Sequence, residues 1–136
     1  MSLDVGALAF ALLLLLKAGV VVQLEIVDDV ADNLSMDLSL AVDAQGVPHI
    51  SYYHGGNGNL KYATRAGGNW TTEIVDTNGD VGKLTSLAVA ADGVPHIGYF
   101  SSTDGTVKYA TKSPQGWRVE TVGPSGGRSI SIAVGR

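Results

Sequence analysis

The sequence contains no cysteine, and this absence limits both its stability and its chemistry. Without thiols, the 136-residue chain has no disulfide framework, no thiolate nucleophile and no cysteine-based zinc site. Charged residues are also few, at 16%, and acids and bases are interspersed around a net charge of −4. A nucleic-acid-binding surface needs clustered lysine and arginine, so the composition argues against a nucleic-acid partner. If the protein is secreted, its stability must come from packing or from assembly.

Motifs that carry enzyme chemistry are also absent. The sequence has no Gly-x-Ser-x-Gly elbow, no phosphate-binding loop and no recurrent pair of carboxylates. His49 and His96 each follow a proline, but no second histidine or carboxylate recurs beside them at a metal-like spacing, which favours structural hydrogen bonding. Residues 76–82 lack the glycine and glutamate positions of an EF-hand calcium loop, which favours a turn. We therefore expect no enzymatic activity, no cofactor and no metal site.

Most of the stretch 38–75 is written twice, and the two copies lie 47 residues apart. A fixed period of this length is typical of repeat architectures. Each copy contains alternating apolar and polar segments separated by glycine-rich turns, which predicts four short antiparallel strands. The repeated segments are Leu-Ala-Val, Gly-Val-Pro-His-Ile, Lys-Tyr-Ala-Thr and Trp-x-x-Glu-x-Val.

These segments resemble a propeller-like β repeat of secreted and surface proteins of bacteria and archaea. The resemblance implies an all-β domain of four-stranded blades, used as a scaffold or for ligand binding, and it carries no reaction with it. We predict a helix over residues 1–23 and a β-repeat domain over 24–136, with repeats at about 38–75 and 84–122 and a partial third repeat at 128–136. The predicted fold is therefore an all-β repeat domain of two complete blades with unpaired flanking strands, preceded by one apolar N-terminal α-helix.

The predicted blades are too few to close on themselves, because a propeller needs at least about four. One unmatched strand precedes them, carrying Leu24 and Ile26, and another follows them, carrying Ile130 and Ile132. Open sheet edges template pairing with other chains and are normally covered. We therefore predict strand complementation at these four residues, either between the two flanking strands or with neighbouring subunits. A piece of a longer propeller protein is a further alternative.

The N-terminus carries a nearly uninterrupted apolar run over residues 5–22, broken only by Lys17. It fits a secretory signal peptide, a marginal membrane span, since about 20 apolar residues are needed, or a helix retained for assembly. The start of the chain also resembles a mature type IV pilin, with Met1 at the processed end and Asp4 in the place of the acid that neutralises a neighbouring subunit's terminal amine. This resemblance implies an assembly helix that buries Asp4, Phe10, Leu12, Leu13, Leu14, Leu15 and Leu16 among copies of itself.

Aromatic residues suggest a second kind of function. Trp70 and Trp117 occupy equivalent positions in the two repeats and could stack on sugars, although repetition suits internal packing at least as well. Asn33 and Asn69 each begin a glycosylation sequon.

The leading hypothesis is a non-enzymatic structural subunit of an extracellular, pilus-like filament or surface assembly. Its partners would be copies of itself, and the membrane before assembly. The alternative is an oligomeric, lectin-like propeller module that binds glycans and carries an N-terminal signal or anchor.

Overall fold

The computed structural model of the chain describes residues 9–10, 25–29 and 37–135, and all regular structure within these residues is β. No helix long and apolar enough to cross a membrane occurs in this part of the chain. The strands are β1 (Ala9–Phe10), β2 (Asp28–Asp29), β3 (Leu38–Val42), β4 (Pro48–His54), β5 (Asn59–Thr64), β6 (Thr71–Asp76), β7 (Val81–Val89), β8 (Pro95–Ser101), β9 (Thr106–Ser113) and β10 (Gly116–Pro124).

The two sequence repeats form two four-stranded antiparallel sheets. Strands β3 to β6 make the first sheet and β7 to β10 the second, each in chain order. Both sheets keep the same register, since Leu40 pairs with Ile50 and Leu87 pairs with Ile97. Their first turns also match, because Gly46 and Gly93 adopt φ values of 80° and 84°, which side chains disfavour. The predicted all-β class and its two four-stranded units are confirmed.

The sheets stack face to face, with β7 lying against β3, β4 and β5. We call the face of each sheet that carries Tyr52 or Tyr99 its front face, and the opposite face, which carries Tyr62 or Tyr109, its back face. The main core lies between the back face of the first sheet and the front face of the second. It consists of Leu60, Tyr62, Val75, Val81, Leu87, Ile97, Tyr99 and Ala110.

One glycine allows the close approach of the two sheets. Gly82, at φ 110°, lies so near β5 that a Cβ there would stand 2.9 Å from Leu60 Cα. Real Cβ atoms essentially never come this close to a backbone atom, so only glycine fits without a shift of one sheet. The side chain of Leu60 is fully buried at this contact.

A smaller core lies on the front face of the first sheet. Ile50, Tyr52 and Ala63 are buried there beneath Val27, and Trp70 packs at the edge. Val27 therefore covers the first sheet much as Val75 covers the second. We call the first strand of each sheet (β3 or β7) its inner strand and the last (β6 or β10) its outer strand. Residues 25–28 take the place that the outer strand of a preceding sheet would occupy.

The inner strand of the first sheet exposes the apolar residues that the sequence pattern predicts to be buried. Leu38, Leu40 and Val42 are 45%, 42% and 57% exposed. Leu87, the counterpart of Leu40 one repeat later, is only 6% exposed because the first sheet packs over it. Among the described residues, nothing comparable covers β3.

The flanking segments depart from the predicted strands. Residues 25–27 form no strand, and the strand β2 begins only at Asp28. Residues 128–134 form no strand, although Ile132 N donates a hydrogen bond of 3.1 Å to Ser86 Oγ on β7. A side-chain acceptor thus replaces the backbone ladder that the pattern predicts. Ile26 is 61% exposed, Ile130 and Ile132 are half-buried, and Leu24 lies outside the described residues.

The predicted N-terminal helix lies outside the described residues except at Ala9–Phe10. These two residues pair antiparallel with Asp28–Asp29, so the backbone is extended at Phe10, where a helix was predicted. Asp4 and Leu12–Leu16 are not described.

Candidate functional site

A three-residue cluster joins the outer strand of the first sheet to the second sheet. Glu73 on β6 accepts a hydrogen bond of 2.9 Å from Trp117 Nε1 and an ion-pair contact of 2.5 Å from Lys112 Nζ. Lys112 Nζ also stands 6.0 Å from the centre of the Trp117 ring. Tyr62 meets the same indole edge-on, with ring centres 5.1 Å apart. An aromatic ring, a carboxylate and a cation therefore converge on one boundary.

The same cluster occurs at the front of the first sheet. Glu25 accepts a 2.8 Å hydrogen bond from Trp70 Nε1 and a 2.6 Å ion pair from Arg65. Arg65 takes the place of Lys112 and Glu25 that of Glu73. We call these the first cluster (Glu25, Arg65, Trp70) and the second cluster (Glu73, Lys112, Trp117).

Each cluster has a neighbouring aspartate three residues after its glutamate, buried at Asp76 and half-buried at Asp28. Asp76 accepts a 2.7 Å hydrogen bond from Tyr99 and lies 3.9 Å from Lys108 Nζ. Asp28 accepts from Tyr52 and Lys61 in the same way. Burial and the neighbouring carboxylate raise the pKa of both tyrosines, so each stays a hydrogen-bond donor. These contacts hold the Glu-x-x-Asp segment firmly against the next sheet.

The polar groups of the clusters remain partly open to solvent. In the second cluster the side chains of Glu73 and Lys112 are 37% and 39% exposed, whereas in the first cluster Arg65 is 35% and Glu25 only 16% exposed. Burial acts to raise the pKa of Glu73, but the hydrogen bonds from Lys112 and Trp117 outweigh it, and the pKa is lowered. A carboxylate offers about four acceptor positions and a lysine three donors, so both retain hydrogen-bonding capacity. Each cluster can therefore accept further hydroxyl groups beside a half-buried indole.

The sequence pattern located part of these clusters. Trp70 and Trp117 were singled out by their recurrence, and the structure brings each to a sheet boundary. Glu25 and Glu73 were missed as site residues, because each contacts the repeat that follows its own. A signal was available, since Glu-Ile-Val-Asp occurs at 25–28 and again at 73–76.

The repeated histidines make internal hydrogen bonds, which agrees with the structural interpretation. His49 is buried between Tyr62, at 2.5 Å from its Nδ1, and Asp43, at 3.1 Å from its Nε2. The hydrogen bond with His49 lowers the pKa of Asp43, whereas burial raises that of Tyr62 to about 12. His96 keeps the tyrosine bond, to Tyr109 at 2.6 Å, but position 90 is alanine and supplies no carboxylate.

The remaining candidates are dispersed. Asn69 lies exposed in the turn before β6, and Asn33 is outside the described residues. Loop 76–82 directs Asp76 and Asp80 away from each other, toward Tyr99 and toward Tyr53 with Lys83. No group of three or more potential metal-ligating side chains occurs within the ranges that the structure describes.

The comparisons with known proteins include a solved structure with a similar arrangement of strands. No protein-family model and no curated protein matches the chain. A fucose lectin from Kordia zhangzhouensis, solved with methyl-fucoside, is 18% identical, with a TM-score of 0.40. The match covers 61% of this chain and 62% of that one, so the chain spans less than two thirds of its neighbour. At this level the likeness assigns no ligand to the present chain.

Proposed function

We propose that this chain is a non-enzymatic, extracellular carbohydrate-binding module whose sugar contacts are the two clusters. The observation that carries this proposal is the recurrence of one Trp–carboxylate–cation arrangement at two boundaries, with the side chains of Glu73, Lys112 and Arg65 more than one third exposed and that of Glu25 16% exposed. A sugar ring presents an apolar face and several hydroxyls. An indole beside open donor and acceptor groups is chemically suited to both.

The clusters also support the packing of successive sheets, and the two roles are compatible. Trp117 packs against Tyr62 in a T-shaped arrangement and donates its N–H to Glu73, which fixes the orientation of the ring. A fixed ring loses little conformational entropy when it binds a ligand. The internal contacts therefore preorganise the face that would meet a sugar.

Glycan-array screening of the intact chain, followed by titration calorimetry with the best monosaccharide, tests this proposal. We expect the wild-type chain to bind two monosaccharide molecules. The Trp70→Ala and Trp117→Ala variants should each bind one. The double variant should lose binding. Arg118→Gln, on an exposed outer-strand side chain, is the control and should retain both sites. A folded wild-type chain that binds no glycan would refute the proposal.

The second candidate is the structural subunit of a pilus-like surface filament. The exposed apolar residues Leu38, Leu40 and Val42 favour self-association of some kind. The apolar run that would form the filament core lies outside the described residues. Electron microscopy of the intact chain distinguishes the two candidates, because a filament subunit should give fibres and a module should not.

A further inference from the structure

The three Ser-(Leu or Ile)-Ala-Val segments of this chain are joined by one repeated hydrogen bond. They begin at Ser39, Ser86 and Ser131. Leu87 N donates to Ser39 Oγ at 3.0 Å, and Ile132 N donates to Ser86 Oγ at 3.1 Å. Each segment is thus attached to the one before it through the same serine. The third segment follows this rule although it forms no strand.

The first and last of these three segments each lack a partner for this hydrogen bond within the described residues. Ser131 Oγ remains as an acceptor at one end, and Leu40 N–H remains as a donor at the other. Ser131 is exposed at one end. At the other end, Leu40 pairs with Ile50 as Leu87 pairs with Ile97, so its N–H points away from β4 as that of Leu87 points away from β8. Ser131 at the end of the series therefore offers the acceptor that Leu40 N–H at its beginning would donate to.

The two outermost sheet faces are also incomplete, and each lacks what the other has. On the back face of the second sheet, a cavity of about 230 Å³ is lined by Val107, Tyr109, Val122, Ile130 and Ile132, among others. Val122 is 68% exposed, whereas its counterpart Val75 is 8% exposed beneath the second sheet. Of the residues that the structure describes, only 128–134, the inner segment of a third sheet, cover this face.

The front face of the first sheet is covered by an outer segment but by no inner segment. There, residues 25–28 supply the position of an outer strand, and the inner strand β3 is uncovered. A sheet between two copies could therefore take its inner segment, residues 128–134, from one copy and its outer segment, residues 25–29, from the other. Within the described residues, these two contributions do not compete for the same place.

We infer that a second copy of this chain docks head to tail, with Ser131 of one copy accepting a hydrogen bond from Leu40 N of the other. The described residues of each copy supply three inner segments, so a closed ring of such copies would contain a multiple of three sheets. Closed propellers hold about four to eight blades, and six is the only such multiple. The assembly is therefore a ring of two copies, held by two identical junctions related by a two-fold axis.

Introduced cysteines test the junction directly, because the chain has none of its own. In the intact chain, Ser131→Cys with Leu40→Cys should oxidise to a covalent dimer on a non-reducing gel. The matched control is Ser86→Cys with Ile132→Cys, which reproduces the same contact inside one chain and should give only an internal disulfide. If the control pair oxidises and the test pair remains monomeric, the inference is wrong.

The mass of the particle provides the second test. Native mass spectrometry of the intact chain should give twice 14.1 kDa. Leu40→Glu should raise the dimer dissociation constant at least tenfold without unfolding the chain, since Leu40 is 42% exposed within one copy. A monomeric wild type, an open-ended series of polymers, or an unaffected Leu40→Glu dimer would each overturn the inference. Both clusters lie within one chain, so glycan binding by the monomer is tested separately.

Discussion

Replacing Glu73 by glutamine removes the charge of the second cluster and keeps its shape. Glutamine can still accept a hydrogen bond from Trp117, but the ion pair with Lys112 is lost. Exposed ion pairs contribute about 0.2–1 kcal/mol, and a hydrogen bond to a charged group contributes somewhat more than one to a neutral group. Because both side chains are more than one third exposed, we expect Glu73→Gln to lower the free energy of unfolding by about 1 kcal/mol at neutral pH.

The pH dependence of this loss is the more specific expectation. The pKa of Glu73 in the folded chain lies below its ordinary value of 4.5. A lowered pKa contributes stability above the ordinary value, and this stability is lost as the pH falls through the folded-state pKa. The difference between wild type and Glu73→Gln should therefore be full above about pH 5 and should close as the pH falls below the folded-state pKa.

Urea unfolding followed by tryptophan fluorescence, at a series of pH values, measures this difference. The matched control is Glu120→Gln, which changes the equivalent glutamate of the second sheet. Glu120 is 64% exposed and lies 3.8 Å from Arg118, so its substitution should alter stability by less than about 0.5 kcal/mol. A Glu73→Gln difference that is independent of pH, or equal to that of Glu120→Gln, would refute the ion-pair explanation.

Three further substitutions probe the packing between the sheets by the same unfolding assay. Gly82→Ala should cost at least about 3 kcal/mol, since φ strain of about 1–2 kcal/mol adds to a clash with Leu60, whereas Gly93→Ala has open space and should cost the strain alone. Leu60→Ala should cost about 3–4 kcal/mol and Val107→Ala, at the equivalent half-buried position, clearly less. Tyr62→Phe should cost about 1–2 kcal/mol because His49 Nδ1 loses its buried partner. Equal losses at either matched pair, or none at Tyr62, would contradict the packing described above.

The sequence repeat predicted the two sheets well because each sheet is a local object. Its four strands are adjacent in the chain, and turn glycines such as Gly46 and Gly93 separate its first two strands. Period-two alternation then predicted four strands in each repeat, and four form in each sheet. The second sheet runs from Val81 to Pro124, beyond the predicted repeat at 84–122, because backbone pairing extends beyond the apolar pattern.

The exposure of the inner strand was not predictable from the same pattern. Leu40 and Leu87 have nearly identical local sequences, yet one is exposed and the other is buried. The difference depends on whether a neighbouring sheet covers the strand. Local alternation reports which face of a strand is apolar but contains no information on what lies opposite that face.

The clusters were only half predictable for a related reason. The sequence repeat runs from Leu38 to Val75, whereas the contacting unit joins Glu73 and Asp76 of one repeat to Tyr99, Lys108 and Trp117 of the next. A search for recurring residues finds the tryptophans but does not pair them with a partner from the preceding repeat. The contacting unit therefore consists of the outer strand of one sequence repeat and the sheet formed by the next.

This arrangement also determines how many clusters an assembled ring would contain. Glu120 is the third outer-strand glutamate and pairs with Tyr109 as Glu73 pairs with Tyr62. A third cluster would need a tryptophan from the sheet that follows, but the sequence has two tryptophans and both already serve Glu25 and Glu73. Gly123 also stands where the Glu-x-x-Asp segment would have its aspartate. A ring of two copies would therefore carry four clusters at its six boundaries, and each boundary without a cluster would lie between the second sheet of one copy and the sheet that this copy shares with the other.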